Sequence, residues 1–218
     1  MAAPIVCISK TDAALGEEIG HLVAEQLGFR YVDEQVIERA AQLAQVDPAL
    51  VAAVEQRQPL LRKLLGKLSA ARDLVGPAAL GMGPAFVGLP AASGSRTTPD
   101  DLRMLIQAAI HEIAHEGGAV IVAHAASRTL ASRGDVVRVL VTASAETRAA
   151  RLAAARGLAA EAAATAIATA DRNRQDYFRR FHDLAEELPT HYDLVVNTDA
   201  LTPGQAAEVI ASAARGRS

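Results

Sequence analysis

Two groups of residues in this sequence have side chains whose type and spacing could do chemistry, and they point to different reactions. His111-Glu112-Ile113-Ala114-His115 sets two imidazoles one helical turn apart with a carboxylate beside the first. That arrangement can hold Zn²⁺ and activate water for hydrolysis. Arg148 and Arg151 stand three residues apart and so share a helix face, and Asp171-Arg172-Asn173-Arg174 adds two more guanidinium groups. Guanidinium suits oxyanions, because its planar fork of donors matches carboxylate and phosphate oxygens. The zinc reading lacks a ligand: position 121, where a third His is needed, is Ile, and His124 is the only nearby substitute. A stripe of Ile106, Ile110 and Ile113 turns His111, Glu112 and His115 toward the polar side of their helix. A solvated His/Glu face is the simpler account. No metal site is expected there, and zinc hydrolysis through His111, Glu112 and His115 is kept only as an alternative.

A third candidate is the loop Ser9-Lys10-Thr11-Asp12-Ala13-Ala14-Leu15-Gly16-Glu17. It follows the apolar run Pro4–Ser9 and precedes a helical stripe of Ile19, Leu22, Val23 and Leu27, with Gly28 as its stop. A helix N-terminus behind Gly16 presents free amides and a positive dipole end, which attract an anion. Asp12 and Glu17 would repel a phosphate there. Lys10 and Thr11 could supply a cation and a hydroxyl, although Lys10 could equally be a solvated residue at a strand end.

The elements that must position these groups alternate along the chain. Short β-rich runs fall at about 4–9, 29–32, 119–123, 136–142 and 192–197, each followed by a helical pattern. Strands alternating with helices imply parallel βαβ units, hence an α/β fold with a doubly wound, five-stranded parallel sheet and helices on both faces. Ligands of such sheets sit at the carboxyl ends of the strands. Helix starts are marked at Asp47-Pro48, Thr98-Pro99-Asp100-Asp101, Ser144 and Thr202-Pro203. Between Gln56 and Ser95 the pattern degrades into a Leu-rich basic segment and a Gly/Pro stretch. One domain is expected over 1–218, with a flexible insert or lid at about 56–98 and a second lid region at about 145–180.

Composition narrows the partners. The formal charge is −3, which gives no broad basic field for a phosphate backbone. Aromatic residues make up only 3% against 50% hydrophobic, so the core must be built from Ala, Val, Leu and Ile. The single Cys7 lies in an apolar run and excludes an internal disulfide. No apolar run is long enough to cross a membrane as a helix, and a cytoplasmic location is expected by default.

This layout resembles the cytidylate kinase-like family of P-loop nucleoside-monophosphate kinases over nearly the whole chain. The strings that carry the resemblance begin with Ile8-Ser9-Lys10 leading to Gly16-Glu17-Glu18-Ile19-Gly20, Tyr31-Val32-Asp33, and Val120-Ile121-Val122-Ala123-His124. They continue with Arg148-Ala149-Ala150-Arg151, Asp171-Arg172-Asn173-Arg174 with Tyr177-Phe178, and Tyr192 to Thr198. The resemblance implies transfer of the ATP γ-phosphoryl group to a nucleoside monophosphate, CMP-like, with Mg²⁺, in which catalysis is mostly positioning and charge stabilisation. It makes Arg148, Arg151, Arg172 and Arg174 the arginines that close over the transferring group. Ser9, Lys10, Thr11, Gly16, Asp33 and His124 become phosphate or nucleotide contacts, with Asp33 holding the acceptor ribose or a hydrated Mg²⁺ unless it is merely a helix cap.

The departures from the pattern are concentrated in the first loop. The family's loop is glycine-rich with a cation after its last glycine, whereas here one glycine remains and Glu17 stands where the cation belongs. Its Gly-Arg-Gly string is Ala123-His124-Ala125, so a fixed guanidinium has become a titratable imidazole. Activity weakened or lost through this loop, leaving a nucleotide-binding scaffold, is therefore the alternative. A nucleotide is the implied partner, no nucleic acid or membrane partner is expected, and a homodimer is compatible with the sequence.

Overall fold

The computed structural model describes residues 4–44, 99–122 and 125–217. Five strands form one sheet: β1 (Ile5–Lys10), β2 (Arg30–Val32), β3 (Ala119–Val122), β4 (Val136–Thr142) and β5 (Leu194–Asn197). Their spatial order is β2-β3-β1-β4-β5, and every pairing is parallel. The five strands anticipated from the sequence are thus present, shifted at their ends by a residue or two. The expected helix start at Asp47-Pro48 and the expected insert at 56–98 lie outside the described residues.

Alternation along the strands decides what packs where. Ile5, Cys7, Ala119, Ile121 and Val136 face one layer, which contains α2 (Glu34–Ala44), α3 (Pro99–Glu116) and the short α4 (Ala126–Thr129). Val6, Ile8, Val120, Val122, Val137, Val139 and Val141 face the other, covered by α1 (Gly16–Leu27) and α7 (Pro203–Arg215). Both faces being covered explains why β1 and β3 read as continuous apolar runs rather than alternating ones. With few aromatics, close approach does the packing: a Cβ on Gly20 would lie 2.7 Å from Val122 of β3.

Two further helices, α5 (Ala145–Arg156) and α6 (Ala160–His182), pack on each other through Leu152, Ala163 and Ile167. Ser144 caps α5 by accepting the Thr147 N–H, and Thr202 caps α7 by accepting from Gln205. The Ala-rich stretch and the charged cluster that follows it form the single helix α6. Because β1 lies between β3 and β4, the chain reverses its winding direction across β1. A doubly wound sheet opens its ligand crevice at such a reversal.

Candidate functional site

The site is built on the loop between β1 and α1. Thr11 leaves the sheet by donating its N–H to Val141 O at 3.1 Å, and Ala14 N–H turns back to Thr11 O at 3.2 Å. Ala13 and Leu15 then take left-handed conformations, at φ 59° and 67°. Such values cost a non-glycine residue roughly 1–2 kcal/mol. Leu15 caps α1 without any side-chain acceptor, and the first helical bond is Ile19 N–H to Leu15 O. The amides of Gly16, Glu17 and Glu18 accordingly have no acceptor within the helix.

Gly16 is tied to Lys10 by contact. A Cβ there would lie 2.6 Å from Lys10 Cβ and 2.8 Å from Lys10 Cδ. The Lys10 chain crosses the start of the helix and its ammonium pairs with the Glu17 carboxylate. The cation therefore reaches the loop from the strand end, and the acid that displaced the usual cation holds it.

The arginines come in from α5 and α6. Arg174 donates from Nη1 to Lys10 O at 2.8 Å and from Nη2 to Ser9 Oγ at 2.9 Å, and it binds Glu187 through Nε and Nη2 at 2.8 and 2.7 Å. Its guanidinium also lies 4.9 Å from the centre of the Phe178 ring, and Glu187 takes a further hydrogen bond from Tyr192 Oη. Arg148 is buried, 5% exposed, with Nη1 and Nη2 on the two oxygens of Asp171, both at 2.8 Å, and Nε on Ala143 O at 3.1 Å. Arg151 reaches Thr198 through Oγ1 and the carbonyl at 2.9 and 2.8 Å, with a longer contact to Ala13 O. Arg172 is exposed and donates to Thr169 Oγ1 at 3.0 Å.

A cavity of about 320 Å³ opens between these groups, lined by Thr11, Arg148, Asp171, Arg172, Arg174, Gln175, Phe178, Leu184 and Glu187 among others. Ser9, Lys10, Thr11, Gly16 and all four arginines of α5 and α6 thus gather around the carboxyl end of β1. Asp33 does not join them. It follows edge strand β2, where Tyr31 Oη donates to its carboxylate at 3.5 Å. Burial, then the Asp33 charge, raises the Tyr31 phenol above its ordinary range. His124 lies outside the described residues.

Glu187 and Thr198 were missed from the sequence. Glu187 sits in an irregular segment with no periodicity, and Thr198 closes the last strand, so neither position carried a signal. In the His-Glu motif, both Glu112 oxygens accept from Arg39 of α2, which lowers the Glu112 carboxyl; His111 and His115 are exposed. Its acid therefore serves an α2–α3 ion pair. Among the described residues, no helix is long and apolar enough to cross a membrane.

A profile of the cytidylate kinase-like family matches residues 5–200. The chain belongs to that family. Fold comparison agrees with a kinase-like architecture. The chain is similar to an uncharacterized protein from Eubacterium ventriosum at TM-score 0.63 and 12% identity, covering 97% of this chain and 98% of that one. A Thermus thermophilus protein matches at 0.51 and 13%, covering 99% and 98%. Shikimate kinase from Acinetobacter baumannii, solved with shikimate, matches at 0.50 and 10%, covering 98% and 93%. No curated protein matches the sequence. This family member is a nucleotide kinase-like protein whose first loop keeps the family's place in the fold without the family's glycines.

Proposed function

We propose that the protein binds MgATP at the β1–α1 loop and passes the γ-phosphoryl group slowly to a nucleoside monophosphate of the CMP type. The observation that carries this reading is the backbone of the loop. Ala13 and Leu15 hold left-handed conformations that glycine would adopt without cost. Strain retained at a loop whose amides face outward is the kind found at ligand clamps. The amides of Gly16, Glu17 and Glu18 would receive the donor phosphates. Lys10 would supply the cation, Arg172 would close on the transferring group, and α5 with α6 would act as the lid.

A divalent cation fits this cradle. Among the described residues no three His, Cys, Asp or Glu side chains converge. Such a cation would be held mostly by phosphate oxygens and water, as Mg²⁺ prefers, with the Thr11 hydroxyl at the cavity as the protein donor. When bound, Mg²⁺ neutralises charge on the phosphates.

A second reading, a nucleotide-binding scaffold without catalysis, is favoured by the Lys10–Glu17 pair and by the carboxylates that occupy Arg148 and Arg174. MgATP titration and a coupled assay with a panel of nucleoside monophosphates separate the two. Glu17→Lys replaces a repulsive charge with an attractive one and should tighten MgATP binding by up to about a hundredfold, whereas Arg172→Ala should weaken it. Low-micromolar MgATP binding that Glu17→Lys leaves unchanged would place the donor elsewhere. MgATP binding with no turnover of any acceptor would establish the scaffold.

A further inference from the structure

Behind Phe178 lies a second set of polar groups that the donor loop does not use. Among the described residues, the buried side-chain atoms with no hydrogen-bond partner include His182 Nε2, Arg128 Nε, Ser127 Oγ and Thr129 Oγ1. Three come from consecutive residues of α4 and the fourth from the last turn of α6. Folded proteins satisfy nearly all buried polar atoms, so several orphans in one place ask for a missing partner. The His182 ring packs 5.7 Å from Phe178 and 5.5 Å from Tyr177, centre to centre. Phe178 itself lines the cavity, and Leu184 of the cavity wall donates its N–H to Phe178 O. The set is thus separated from Arg174 and the donor loop by one aromatic ring.

The electrostatics of the set have one sign. Burial, then Arg103 of α3 and Arg128 of α4, push the His182 imidazole down to about 4, against a weaker upward pull from Asp183. Two guanidinium groups and an imidazole with an open nitrogen, beside two open hydroxyls, form a donor set for a group with several oxygens and a double negative charge. A lone carboxylate has too few acceptor sites for it. Phosphate monoesters have the required number and charge.

We propose that Arg128 and His182, with the hydroxyls of Ser127 and Thr129, hold a phosphate monoester group, the phosphate of the acceptor nucleotide, on the far side of Phe178 from the donor loop. The identity of the ligand rests on the kinase reading above; the existence of an oxyanion site does not. A dianion placed here favours the charged imidazole, so binding takes up a proton, and affinity falls as pH rises through the pKa that His182 has in the complex. The Arg128 guanidinium then supplies the fixed charge that position 124, a histidine, lacks.

Calorimetry on the full chain tests this with inorganic phosphate, CMP and cytidine as separate probes, at two pH values and in two buffers of different ionisation heat. Phosphate and CMP should compete and cytidine should not displace phosphate. Arg128→Gln should weaken both anions by about tenfold or more, and His182→Gln should remove the proton uptake, with MgATP affinity unchanged in both. Ser127→Ala, a change the fold tolerates because it deletes an unpartnered hydroxyl, should keep the Tm of the free protein and shrink the rise in Tm that phosphate causes. Phosphate and CMP binding indifferent to all three substitutions, or no binding of either by the parent at millimolar concentration, overturns the site. Loss of MgATP binding with phosphate binding retained would overturn the donor reading and leave this site standing.

Discussion

The two ends of the sheet solve the same problem with different residues. At the amino ends, the chain enters β2 and β3 through left-handed glycines: Gly28 at φ 66°, and Gly117 and Gly118 at 73° and 56°. At the carboxyl ends, left-handed positions fall on Ala13, Leu15 and Ala125, with Asp183 beside the cavity wall. The arginines divide the same way. At the amino ends Arg138 binds Asp193 through Nε and Nη2 at 3.1 and 2.9 Å, and Arg217 adds a second ion pair to Asp193 and a bond to Val136 O. These pairs hold the starts of β4 and β5 and line no part of the cavity. At the carboxyl ends Arg148 and Arg174 make equally good pairs, yet both border open space that an anion could enter. One edge is a seam, and the other is a set of exchangeable contacts on a strained frame.

The largest effect that could break this contrast concerns the seam. Arg138→Ala leaves the Asp193 carboxylate with Arg217 alone, which should cost about 2 kcal/mol and lower Tm by roughly 4–8 °C, with MgATP affinity unchanged. Arg174→Ala should cost less stability and more MgATP affinity. Equal stability losses with no effect on ligand would erase the distinction. Arg138 also holds the Asp193 carboxyl down to about 2. Its contribution is therefore present above the unfolded value of 3.8 and is lost as pH falls toward 2.

A smaller effect sharpens the far side of the cavity. His182 titrates near 4 when folded and 6.5 when unfolded, so the unfolded chain binds the extra proton between those values. Stability should be full above about 6.5 and decline as pH falls toward 4, by about 1–2 kcal/mol after allowance for partial exposure. Denaturant titrations across that window should show a slope that His182→Gln flattens and that phosphate reduces.

The smallest effect compares single residues. Gly28 has open space around its missing Cβ, so Gly28→Ala carries only the backbone cost, about 1 kcal/mol. Ala13→Gly should run the other way, raising stability by up to about 1 kcal/mol as strain relief exceeds the added chain entropy. If both changes destabilise equally, the loop is not strained.

What the sequence revealed, and what it hid, follows the same physics. The strands were legible because both sheet faces are covered, which writes unbroken apolar runs such as Ile5 to Ile8 and Ala119 to Val122. Caps were legible at Ser144 and Thr202, where a side chain meets a nearby amide. Arg148 was not: as a helix arginine it suggests solvent or phosphate, and its burial depends on α6 folding back so that Asp171, 23 positions away, meets it. Glu187 and Thr198 matter through partners far along the chain, and no local pattern announces them. The eroded loop was legible in composition but not in shape, since only the structure shows Ala13 and Leu15 in the conformations that glycine favours.

Arg174 has a mechanical consequence. One side chain on α6 grips the end of β1, the Ser9 hydroxyl and the segment before β5 at the same time. These bonds are arranged in parallel, so thermal motion must break them together before α6 can swing away from the sheet. The α5–α6 hairpin should consequently open as one block, with the amides of both helices exchanging their hydrogens at a common rate set by this single latch.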